Sequence, residues 1–164
     1  MKVKIFLIAV LLIVLALSLN LKEKEFYLEP FDAKDSDGSD SDDIINNMKN
    51  SYEIVSLKTN PFGYIEIRGF QPKGLLKKAY AEFYWKLYED LGGGNIYVGY
   101  SFDGKNYVEE GPFNESGSLK INIPVNIFSN LNELSLRFRG EDLDFAADAV
   151  AEVKIKLKIY SLTI

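Results

Sequence analysis

The chain has 164 residues, 24 of them acidic and 19 basic, for a formal charge of −5, and it contains neither cysteine nor histidine. That length fits one domain with appendages. The missing cysteine excludes disulfides and thiolate chemistry, and the missing histidine removes the commonest general base, zinc ligand and pH switch.

Ten Tyr and eleven Phe suit an all-β core. Without Lys2 and Lys4 the remainder carries 17 basic against 24 acidic residues, or −7, a field that does not attract nucleic acid.

Two lysines precede Ile5–Leu19, a run of uncharged apolar or small residues, and Lys22-Glu23-Lys24-Glu25 ends it. This asymmetry predicts a membrane-targeting segment over residues 1–21. Small residues at Ala16 and Ser18 would allow cleavage as a signal peptide. An apolar stretch that reaches Leu21, with no Gly or Pro inside it, favours a retained signal-anchor over residues 5–21. Either way the lysines stay cytoplasmic. The rest is expected outside the cell membrane, as a single-pass protein or, after cleavage, a secreted one.

Residues 22–49 read as an acidic linker, with Phe26–Phe31 either a short extended segment or the exit from the membrane. Asp32–Asp43 (DAKDSDGSDSDD) holds six Asp and three Ser, a self-repelling composition. Its spacing fails as a calcium loop, because Ala33 and Ile44 fall where the first and last ligands belong. Ser41-Asp42-Asp43 ahead of Ile44–Lys49 predicts a short N-capped helix.

The folded domain is expected over residues 50–164. Alternation of apolar and polar residues predicts strands at Tyr52–Lys58 and Tyr64–Phe70, then a long one at Lys77–Leu91. That last segment also has helical composition, but its alternation and aromatic density favour a strand. Asn95–Ser101 is a half-buried strand. Asp103-Gly104 supplies a tight hairpin turn, and Asn106–Val108 starts the return. Glu109–Gly117 reads as loop. Leu119–Val125, Leu134–Arg139 and Val150–Thr163 complete the set, with Pro124 marking an edge or strand end. The outward lysines of the last strand are expected to discourage edge-to-edge pairing. About eight strands without intervening helices exclude parallel βαβ folds. The fold class is therefore an all-β, antiparallel two-sheet β-sandwich, jelly-roll or alternatively immunoglobulin-like, preceded by one N-terminal membrane helix.

The segment from Ile96 to Tyr107, with Ser101-Phe102-Asp103-Gly104 between strands and an aromatic on the return, resembles a hairpin of galactose-binding-like jelly-roll domains. The downstream order is similar too: a Pro-containing strand, an Asn-rich turn, LSLRFRG, an acidic loop and a closing strand. The resemblance covers about residues 80–164 and implies a jelly roll whose ligands bind in variable rim loops, so no binding residue carries over by position. In layout the chain also resembles archaeal surface and filament-stator proteins, which join one N-terminal membrane helix to an exposed β-sandwich.

Three candidate sites follow from the residues. Tyr80, Tyr84 and Tyr88 share one face of the predicted long strand, as in aromatic platforms that stack on sugars, while Trp85 falls on the core side. Asp142, Asp144 and Asp148 lie in one loop and offer oxygen ligands for a structural calcium ion, the one cofactor considered. Asn114-Glu115-Ser116 is a glycosylation sequon, with Asn114 the acceptor. Glu109-Glu110, and Glu141 with Asp142, Asp144 and Asp148, are the acid–base candidates, and nothing indicates their burial, so no catalytic residue is assigned. The expected function is that of a non-catalytic, membrane-tethered cell-surface sandwich with an envelope-structural or protein-interaction role. The alternative is a carbohydrate-binding module using the tyrosines. The expected partners are the membrane and a surface polysaccharide or envelope protein.

Overall fold

The computed structural model describes residues 21–56, 62–87, 95–141 and 150–163. In chain order the elements are β1 (Lys22–Leu28), β2 (Pro30–Asp35), α1 (Ser41–Asn50), β3 (Glu53–Ser56), β4 (Gly63–Phe70), β5 (Leu75–Leu87), β6 (Asn95–Ser101), β7 (Val108–Phe113), β8 (Gly117–Ile123), β9 (Ser135–Glu141) and β10 (Val150–Thr163). They form two antiparallel five-stranded sheets. Sheet A runs β1-β10-β5-β8, with β3 on the same side of β10 as β1, and sheet B runs β2-β4-β9-β6-β7.

The alternation read in the sequence fixes the core. From β10, Val153, Ile155, Leu157 and Ile159 point inward, and Ala79, Ala81, Phe83 and Trp85 do the same from β5. Sheet B answers with Ile65, Ile67, Ile96, Val98, Leu136 and Phe138. Each of the Val, Ile, Leu and Phe side chains contributes roughly 1.5–3 kcal/mol by leaving water. Lys77–Leu91 is accordingly strand where it is described.

Residues 22–49 depart from the linker expectation. Lys22–Leu28 pairs along β10 from Thr163 to Leu157, and Pro30–Asp35 pairs with β4. The sandwich therefore begins at Lys22, not near Asn50. Charges that look self-repelling in sequence are neutralised across the fold: Glu25 pairs with Lys158 at 2.7 Å, Glu23 with Lys77 and Asp32 with Arg68. Asp35 Oδ1 accepts the backbone N–H groups of Asp37, Gly38 and Ser39 at 2.7–3.0 Å, which folds the middle of the run into a closed loop. Asp40 then caps α1 through the Asp42 amide.

Helix α1 buries Ile44 and Met48, one turn apart, over the notch on β10 between its pairings with β1 and β3. Ser41 ties its start to β2 by accepting from Ala33 N at 2.8 Å.

Three further expectations change. Residues 109–113, expected as loop, continue β7 along β6 with a register shift between Ile96 and Val98. The β6–β7 turn is longer than a two-residue hairpin: Phe102–Tyr107 stand outside the strands, and only Gly104 takes a positive φ, of 66°. The lysines of β10 face outward from a strand paired with β5 and, except at the notch over residues 154–156, with β1 and β3, so they cover a sheet face.

The membrane helix expected over residues 5–21 lies, except for Leu21, outside the described residues. Among those described, no helix is long and apolar enough to cross a membrane.

Candidate functional site

The outer face of sheet A gathers tyrosines and lysines around one carboxylate. Glu82 projects from the middle of β5 on the solvent side, yet it is only 9% exposed. Tyr27 on β1 and Tyr84 on β5 donate to its Oε2 at 3.3 and 3.4 Å, and Lys120 on β8 lies 3.7 Å from Oε1. Lys156 stands opposite Glu82 in the β5–β10 register. The period of two puts these groups on one face, and pairing across four strands brings them together.

Two of the three platform tyrosines are placed, four residues apart on this face. Lys120 Nζ sits 4.2 Å from the centroid of the Tyr80 ring, and Tyr160 meets the same ring edge-on at 6.0 Å. The Tyr84 hydroxyl is turned to Glu82, and burial next to that carboxylate raises its pKa. Tyr88 lies outside the described residues. Trp85 is in the core, its Nε1 donating to the Glu115 carbonyl at 2.7 Å.

This face is also where much of the exposed apolar surface collects. Tyr27, Tyr52, Ile54 and Tyr84 are all exposed on it or against its lysines, with Lys154 near the Tyr52 ring.

The outer face of sheet B is closed by its own contacts. Glu109 Oε1 accepts from Arg137 Nη2 at 2.9 Å and from Arg139 Nε at 3.2 Å, and its Oε2 accepts from Arg139 Nη2 at 3.0 Å. The guanidinium of Arg137 stacks 3.5 Å from the Tyr107 centroid and that of Arg139 4.1 Å from Tyr97. Beneath them Glu66, 3% exposed, accepts from Tyr107 at 2.5 Å and pairs with Lys34 at 3.3 Å. Burial together with the Glu66 contact pushes the Tyr107 hydroxyl far up. Burial opposes ionisation of Glu109, but the two arginines prevail and hold its pKa below the usual range. Gly99 lies under this bridge. A Cβ there would overlap the Val108 carbonyl and come within 3.0 Å of Glu109 Cα, so the glycine lets β7 approach.

Two hollows remain. One, of about 260 Å³, lies under the β10 notch between Leu28, Ile45, Met48, Ile67 and Ile155, with the Glu29–Lys49 pair at its mouth. It falls below the usual size of ligand clefts, about 300–1,000 Å³. The other, of about 550 Å³, is an open polar cleft at the β6–β7 rim among Asp32, Arg68, Asp103, Asn132, Glu133 and Ser135. Two of its three acids are engaged: Asp32 binds Arg68 and Ser41, while Asp103 accepts from the amides of Asn106 and Lys105. Those amides and Ser101 hold the Asp103 pKa far below its ordinary value.

The calcium candidates Asp142, Asp144 and Asp148 lie outside the described residues. Among the described residues no group of three or more acidic side chains is placed to hold a metal ion. Asn114 is exposed between β7 and β8, while the sequon's Ser116 Oγ accepts from Leu87 N at 2.9 Å.

In the sequence Glu82 stands out only as a hydrogen-bonding group between the platform tyrosines and Glu109 only as half of a carboxylate pair; the hub and the arginine bridge they form are not legible there. Outward Arg137 and Arg139 in LSLRFR, and one glutamate among the alternating tyrosines of β5, were the available signals. No family model matches the chain, and no curated protein matches it significantly.

Proposed function

We propose that the protein is a non-catalytic, membrane-tethered surface β-sandwich that contacts an envelope protein through the outer face of sheet A. The tether is the apolar segment over residues 5–21, with the sandwich outside the cell membrane. The observation that carries the choice of face is the occupied ring of Tyr80. A pyranose stacking there would have to displace Lys120, which already covers that ring at 4.2 Å. What remains presented is a mixed surface of tyrosine hydroxyls, lysines and the apolar Ile54, a composition suited to protein contact. The non-catalytic reading is supported by the carboxylates whose pKa is lowered. Each is held by ion pairs or loop amides, as with Asp32, Asp35, Asp103 and Glu109, and none is poised as a proton donor at neutral pH.

Within the sandwich class we favour the jelly roll with its galactose-binding-like resemblance. The support is the strand order, in which β4–β5 and β8–β9 each cross between sheets at the same end. Sugar binding is the second reading, favoured by Tyr84 and Tyr27 exposed beside Glu82 and by the polar rim cleft.

A photo-crosslinking residue placed at Tyr84 in the full-length chain on whole cells tests the face, with Tyr97 on sheet B as control. A discrete protein adduct from position 84 and none from position 97 is expected. Glycan-array binding by the full-length chain that disappears in Tyr84→Ala, with no protein adduct, would replace this reading by the carbohydrate one.

A further inference from the structure

The register of sheet A fixes what surrounds the point at which the chain enters. Lys22 pairs with Thr163, Leu162 with Leu75, and Ala79 with Ile123, so the start of β1, the end of β10, the start of β5 and the end of β8 lie at one end of the sandwich. The connection from β8 to β9 crosses the same end. Its Leu131 carbonyl accepts the N–H of Phe70, the last residue of β4. In this connection Asn126 Oδ1 accepts from Phe128 N at 2.8 Å, and Ser129 N closes the turn on Asn126 O at 3.0 Å.

That turn holds Ile127 and Phe128 outward, 52% and 88% exposed. Leu75 at the start of β5 is exposed at the same end, and so is Val108 at the start of β7, beside the start of β9. Loop polarity does not account for a phenylalanine displayed in this way, on a turn pinned by its own hydrogen bonds. Lysines stand among these residues: Lys22 and Lys24 on β1, Lys73 in the β4–β5 connection, and Lys77 and Lys78 on β5. Lys73 lies over Phe26 and Lys77 pairs with Glu23. Glu23 and Glu25 on β1, Asp103 in the β6–β7 turn and Glu133 in the β8–β9 connection stand at this end as well, while the opposite end carries Asp35, Asp37, Glu53, Glu115 and Glu141.

We propose that the end of the sandwich where Lys22 enters is a membrane-docking surface, with Ile127 and Phe128 at the lipid interface and the lysines on its headgroups. The inference rests on the tether reading of residues 5–21 and adds to it an orientation. A helix of seventeen residues, the length of the segment 5–21, would reach about 25 Å, against about 30 Å of hydrocarbon. Such a span draws Lys22 and Lys24 down to the headgroups. No spacer follows, because β1 begins at Lys22. The β8–β9 turn stands three strands across from β1, about 15 Å at the usual strand spacing, so it lies within the footprint facing the bilayer. Apolar tips with neighbouring lysines match the layering of an interface, hydrocarbon below and anionic headgroups around.

The test is Phe128→Trp in the full-length chain, reconstituted in phosphatidylcholine–phosphatidylglycerol vesicles with and without brominated phosphatidylcholine. Trp85, buried at the other end, is the internal reference, and the parent chain gives its emission by itself. Flotation with the vesicles after an alkaline wash reports the tether alone. Docking predicts that the emission added by the substitution is blue-shifted and loses most of its intensity to brominated lipid, while Trp85 in the parent chain keeps its own. A variant that floats but whose added indole is exposed and unquenched overturns docking and leaves the tether standing. A blue shift without lipid quenching places protein there and also overturns it. A chain that fails to float overturns the tether, and the docking with it.

Discussion

Glu109→Ala is the most direct probe of how β7 is held. Glu109 receives three hydrogen bonds from two arginines, and the side chains are 20% (Glu109), 17% (Arg137) and 12% (Arg139) exposed. An exposed ion pair would be worth at most ~1 kcal/mol, and removing one partner of a fully buried pair costs ~3–5 kcal/mol. The bridge lies between these limits, and Arg139 keeps Glu141 as a partner. We expect a loss of ~2–3 kcal/mol, a fall of roughly 8 °C in melting temperature for a domain of this size. The assay is thermal and urea unfolding of the full-length chain in detergent, followed by Trp85 fluorescence and repeated with Arg139→Met and the double variant. Coupling should be of order 1 kcal/mol or more. The difference from the parent should also depend on pH. The folded-state pKa of Glu109 is depressed, so its contribution is fully present above the unfolded value near ~4.3 and disappears as pH falls through the folded value. A loss under ~1 kcal/mol at pH 7, or one that persists unchanged at pH 2, refutes the bridge as a fastening.

Gly99→Ala should destabilise by ~1–3 kcal/mol through overlap with the Val108 carbonyl, and hydrogen exchange should show β7 amides losing protection before those of β10. Ile44→Ala, at a fully buried position of α1, should cost ~2–4 kcal/mol and expose the β10 notch to small apolar probes. Trp85→Phe, which removes the bond to the Glu115 carbonyl, should cost ~1 kcal/mol in urea unfolding. The parent protein should lose stability as pH drops below ~4, because Asp32, Asp35 and Asp103 all titrate lower folded than unfolded; a melting temperature flat from pH 5 to pH 2 would contradict those contacts.

The sandwich was legible wherever one face of a strand is buried and the other wet. Val153, Ile155, Leu157 and Ile159 alternate with lysines, and that period states both the element and its core face. β1 and β2 escaped because their outward residues are charges whose partners lie 36 to 133 positions away: Asp32 with Arg68, Glu23 with Lys77, Glu25 with Lys158. No local pattern carries such a pairing. β7 was missed for a related reason. It is an edge strand with a Gly-Pro inside, and its regularity depends on Glu109 reaching arginines that appear only with β9. On the tyrosine face the shared side of β5 was readable, but Lys120 over Tyr80 depends on the β5–β8 register.

The seven residue pairs joining β1 to β10 also have a mechanical consequence. A pull on Lys22 along the strand runs perpendicular to the hydrogen bonds of that antiparallel ladder. The bonds are therefore sheared together instead of being opened one after another from an end. Tension transmitted through the N-terminal segment would be shared by the whole of β1, and through β10 it would pass to β5 at the centre of sheet A. A fold entered by a strand lying along the line of force resists detachment better than one entered through a loop, and it does so without a disulfide.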